Sequence, residues 1–103
     1  MRVLLKVSIP METGNAAMKD GSFGPKLKSI LDQLKPEAAY FIEEHGLRTG
    51  MIVADLPDPS GIPAIAEPFF LAFNARVSIH PAMVAADLER AWPDIQAAVA
   101  NLA

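Results

Sequence analysis

Five side chains in this sequence have the chemistry to move a proton or hold a polar ligand: Tyr40, Asp55, Glu67, Arg76 and His80. The imidazole of His80 exchanges protons near neutral pH, and beside a carboxylate it would serve as a general base or ligate a metal. It also ends an extended run just before Pro81, where the plainer reading is a strand-end histidine hydrogen-bonded at a subunit seam. The plainer reading is preferred, because nothing in the sequence fixes a partner for it. Glu67 precedes Pro68 in an otherwise apolar stretch from Ile62 to Phe73. Burial there would raise its pKa and make an acid or base of it, whereas on the polar side it is merely solvated; the polar side is preferred. Tyr40, Asp55, Arg76 and His80 either line one polar pocket or form the rim of a subunit interface. Phe69 and Phe70 are adjacent and cannot share one helical face, so one of them is expected at a cavity or a dimer contact. His80, Glu67 and Asp55 are thus the catalytic candidates, and Tyr40, Phe69, Phe70 and Arg76 the ligand-binding ones.

Other chemistries are excluded by composition. With no cysteine, only two histidines and no His-x-x-x-His or Asp-x-Asp spacing, no protein-built metal site is expected. Haem would have His80 as its sole axial candidate, and no cofactor is expected. Residues 14–22 place glycines and a lysine near a helix start but lack the Gly-x-x-x-x-Gly-Lys-Ser/Thr pattern, so they are read as a flexible loop over the sheet edge or a pocket mouth. A net charge of −3 without any run of lysine or arginine argues against a nucleic-acid partner. No apolar stretch approaches the roughly 20 residues that span a bilayer. Lys6, Ser8 and Pro10 break up the start of the chain before any signal-peptide core forms. A cytoplasmic protein with no membrane partner is the expectation.

The elements that must position these residues are punctuated by proline and glycine. Residues 2–9 alternate as a strand, with Val3, Leu5, Val7 and Ile9 on one face. A helix starting near Pro25 carries Leu27, Ile30, Leu31 and Leu34 at i, i+3, i+4, i+7 spacing. A His45-Gly46 turn makes a hairpin in which Glu43 faces Arg48, Phe41 faces Gly50 and Tyr40 faces Met51. Ser60 is the expected N-cap of a second helix with Ile62, Ile65, Phe69 and Phe73 on its apolar side; Pro68 is expected to kink or divide it, and Asn74 to end it. Residues 75–80 form a fourth strand. Residues 84–102 are helical in propensity and divided by Pro93, with Trp92 suited to anchoring that tail onto a neighbour.

The β-α-β-β-α-β order predicts one α+β, ferredoxin-like domain over residues 1–103: a four-stranded antiparallel sheet with its crossover helices on one face and an extra C-terminal helix. In residues 38–42 and 51–54 neither alternate set is polar, so the second sheet face also needs a cover. A second copy, pairing through that open face, is the expected partner. The stretches 14–21, 34–41, 62–75 and 77–83 resemble those of uncharacterised small bacterial proteins in the dimeric α+β barrel superfamily. That resemblance implies two sheets packed face to face across a dimer axis. Characterised members include cofactor-free monooxygenases, chlorite-dismutase-like haem proteins, muconolactone isomerases and effector-binding domains, and no catalytic motif of theirs maps onto this sequence.

Two functions follow as expectations. The first is a binding module holding a small apolar or weakly acidic molecule between helices and sheet. The alternative is a cofactor-independent enzyme, monooxygenase-like or isomerase-like, acting on a hydrophobic ring substrate with His80 or Glu67 as base. An enzyme should point His80, Glu67 or Asp55 into a cavity of several hundred Å3; all three in open solvent would remove that reading.

Overall fold

The computed structural model describes residues 1–102. In β1 (Arg2–Ser8) the alternate residues Val3, Leu5 and Val7 are buried, while Leu4, Lys6 and Ser8 opposite them are half-buried. The strand accordingly lies inside the sheet. It pairs antiparallel with both β3 (Leu47–Asp55) and β4 (Arg76–Pro81), and β2 (Ala38–Glu44) adds to the far side of β3, for the order β2-β3-β1-β4. Helices α1 (Met11–Asp20) and α2 (Phe23–Leu34) fill the first crossover and α3 (Ile62–Phe73) the second. With α4 (Ala85–Leu102) at the end, the layout is β-α-α-β-β-α-β-α, an α+β ferredoxin-like fold.

The core lies between one sheet face and α2–α3. Val3, Leu5, Val7, Ile52 and Ala54 meet Ile30, Ile65, Phe69 and Phe73, with the rest of the predicted stripe, Leu27, Leu31 and Leu34, packed around them. Phe23 and Phe73 join α2 to α3 with ring centroids 5.0 Å apart and planes tilted by 46°, a geometry aromatic quadrupoles favour.

The hairpin has the expected register: Glu43 pairs with Arg48, Phe41 with Gly50, Tyr40 with Met51 and Ala39 with Ile52. Its turn residues His45 (φ 54°) and Gly46 (φ 76°) are both left-handed, as a two-residue turn matching strand twist requires. Histidine is strained in that position, whereas asparagine adopts it readily. His45→Asn is therefore expected to stabilise the protein by about 0.5–1 kcal/mol, read from urea unfolding. Glu43 and Arg48, though opposite each other, form no ion pair. Glu43 accepts from the Gly46 N–H at 3.2 Å, and Arg48 turns toward α1.

Residues 14–22 are not a loop. Most of them belong to α1, which buries Gly14 and Ala17 and ends on the left-handed Gly21. Neither proline divides its helix: α3 continues past Pro68 and α4, expected to be divided, past Pro93. The residues one turn earlier, Ala64 and Glu89, are exposed, so water can serve the carbonyls that each proline leaves without a donor. Ser60 is not an N-cap. It lies in a single 3-10 turn, Pro59–Gly61, capped by the Asp58 carboxylate, which accepts from the Ser60 N–H at 2.9 Å. Asn74 does close α3, in the left-handed conformation with its N–H on the Phe70 carbonyl.

Two aspartates accept such local bonds and are held below their ordinary pKa of 3.8: Asp58 by the Ser60 backbone and Asp87 by the Val84 backbone. A carboxyl depressed in the folded state contributes stability above its unfolded pKa and loses it as pH falls through the folded value. Asp58→Asn should thus be destabilising near neutral pH, and its gap from wild type should close in unfolding curves taken progressively below pH 3.8.

α4 stands apart from this body. None of its residues is buried, and Leu88, Trp92, Val99 and Leu102 are all exposed. The molecule measures 59 × 28 × 20 Å with a radius of gyration of 17.2 Å, against about 13 Å for a compact chain of this length. With Ile95, those four residues recur at i, i+4, i+7, i+11 and i+14, an apolar stripe with no cover from its own chain. No helix among the described residues is long and apolar enough to cross a membrane.

Candidate functional site

Beside the β2–β3 hairpin, on the helix side of the sheet, lies a half-open cavity of about 550 Å3. Val7 and Ile52 form its floor with Gly50; α1 contributes Met11 and Met18, α2 contributes Phe23 and Leu27, and α3 contributes Phe69. Two features of the hairpin make the space. Gly50 has no side chain, and the ring of Phe41 from the neighbouring strand lies over it, 3.6 Å from where a Cβ would stand. Phe41 is itself 56% exposed, so no helix has closed over that end of β2. Met11 and Met18, about half-exposed at the mouth, are flexible thioether side chains suited to ligands of varied shape.

The polar groups on this wall are few. Arg48 reaches from β3 across α1 and donates from Nη1 to the Asn15 Oδ1 at 3.0 Å, while Glu43 stays with the turn amide of Gly46. Gly14 permits the crossing, since a Cβ there would lie 2.7 Å from Nη1 and 3.4 Å from Cδ of Arg48. A mid-helix glycine costs about 0.8–1 kcal/mol relative to alanine, so Gly14 is a local loss that the Arg48 packing explains.

The residues expected to carry chemistry are placed elsewhere. Tyr40, Asp55, Arg76 and His80 do share the outer, helix-free face of the sheet, as the register dictates. They do not converge. Tyr40 is on one edge strand and Arg76 and His80 on the other, with two strands between, a separation of about 14 Å. His80 faces Leu4 across the β1–β4 pair and is exposed. Asp55 is exposed and binds the Met1 ammonium at 2.9 Å. Arg76 lines a shallow groove with Lys6, Ser8, Ser78 and Glu44, the last paired with Lys6. Glu67 is exposed on α3. Of the two adjacent phenylalanines, Phe69 is buried and lines the cavity, whereas Phe70 is 39% exposed and outside it. Among the described residues no three histidine, aspartate or glutamate side chains cluster as metal ligands would.

Phe41, Met18, Gly50 and Arg48 are the site residues that sequence reasoning passed over. The turn pairs Phe41 with Gly50, but a glycine opposite an aromatic reads equally as filled or empty space until the helices above are placed. The signal for Arg48 was Gly14, a glycine in a stretch otherwise rich in helix formers. No protein-family model matches the chain, and no curated protein is significantly similar to it.

Proposed function

We propose that this protein is a homodimeric binding module for a small, largely apolar molecule held between α1, α2 and the hairpin. The observation that carries the reading is the cavity: about 550 Å3, lined by Phe, Met, Leu, Ile and Val with few polar groups, within the 300–1,000 Å3 typical of small-molecule sites. The enzyme reading loses its support. His80, Glu67 and Asp55 are all exposed, and none lines the cavity, yet a general base must come within hydrogen-bond reach of the proton it takes. The dimer rests on two uncovered apolar surfaces, the outer face with Leu4, Tyr40, Ile42, Met51 and Val53, and the α4 stripe.

Titration with 2-naphthamide, followed by backbone amide NMR, tests the cavity. Saturable shifts should concentrate at Met18, Phe23, Phe41 and Phe69, and shifts scattered over the surface would overturn the reading. Gly50→Ala should weaken binding while keeping the fold, because Gly50 has ordinary backbone φ and an added Cβ meets Phe41 and Ile52 only at ordinary contact distance. Light scattering should return twice the 11.1 kDa chain mass.

A further inference from the structure

An arginine at the wall of an apolar cavity needs a counter-charge, and Arg48 has none from its own chain. Among the described residues no carboxylate lies within ion-pair distance of it. Its recorded side-chain bond is the single one to Asn15, out of five N–H donors on the guanidinium. The obvious internal partner is Glu43, directly opposite in the hairpin and also on the cavity wall, but that carboxylate is engaged by the Gly46 N–H. Asn15 anchors Nη1, and the gap at Gly14 lets the side chain lie across α1. A planar fork of donors beside an apolar chamber matches one ligand chemistry closely, a carboxylate on a hydrophobic body.

We propose that the cavity takes a hydrophobic monocarboxylate, its two oxygens on the Arg48 fork and its apolar body against Phe41, Met18 and Phe69. This rests on the small-molecule reading of the same cavity.

The test compares 2-naphthoate with 2-naphthamide, two ligands of nearly equal shape and different charge, by calorimetric titration at fixed salt. Wild type should bind the acid at least tenfold tighter than the amide, and that preference should shrink as salt rises. Arg48→Gln should lower acid binding to the amide level, and an unchanged circular dichroism spectrum shows that the variant is folded. Arg48→Lys keeps the charge without the fork and should retain only part of the preference. Gly14→Ala, which pushes Nη1 away, should reduce acid binding more than amide binding. Equal affinity for acid and amide in wild type, or an unchanged preference in Arg48→Gln, overturns the proposal while the cavity reading stands. If neither ligand binds, both fall together.

Discussion

Phe73→Ala is expected to remove about 3–5 kcal/mol of stability, the range for truncating a fully buried aromatic. Phe73 is completely inaccessible to solvent, is anchored at the end of α3, and packs its ring on Phe23 of α2. Neither helix can follow a shrinking side chain inward without parting from the other, so the void should persist. For a domain whose total stability is about 5–15 kcal/mol, such a loss lowers the urea midpoint sharply or leaves the protein partly unfolded at rest. A change below about 1 kcal/mol would mean that α2 and α3 collapse onto the sheet freely, contrary to the close packing of interiors.

The second large effect is expected on assembly. Tyr40→Lys combined with Ile42→Lys places two cations on the outer face of the edge strand β2, at side chains 67% and 46% exposed in the protomer. Lysine on an edge strand is well tolerated by a folded monomer and discourages association. If two outer faces meet in the dimer, the added charges would have to leave water for a surface that is apolar at Leu4, Met51 and Val53, at a cost that opposes association. Light scattering should then report the single-chain mass of 11.1 kDa with an unchanged circular dichroism spectrum. Persistence of a dimer would shift attention to α4, whose apolar stripe is the other uncovered surface, and Trp92→Glu would become the decisive substitution.

Which parts of this structure were legible in advance follows from how local their causes are. The turn at His45-Gly46 sets the β2–β3 pairing residue by residue, because a two-residue loop admits a single register. The α2 stripe and the left-handed stop at Asn74 depend likewise on near neighbours. Misreadings came where a local signal had two outcomes. Pro68 and Pro93 each leave a carbonyl one turn earlier without its donor, and whether water reaches that turn is decided by packing. Glycine at position 14 suggested a loop, yet the residue sits inside a helix because a side chain from a distant strand occupies the space beside it.

The sequence leaves Tyr40, Asp55, Arg76 and His80 as either a pocket or an interface rim, while alternation and turn chemistry determined the β2–β3 register and the buried face of β1. Each of those is governed by contacts a few residues long. Tertiary structure alone decided that these four polar groups stay apart, that a chamber opens over Gly50, and that Arg48 bonds Asn15, 33 positions away, instead of Glu43 directly across the hairpin. The physical reason is that empty space and unpaired charge belong to no single element. They are what remains once helices and sheet have buried as much apolar surface as their shapes allow.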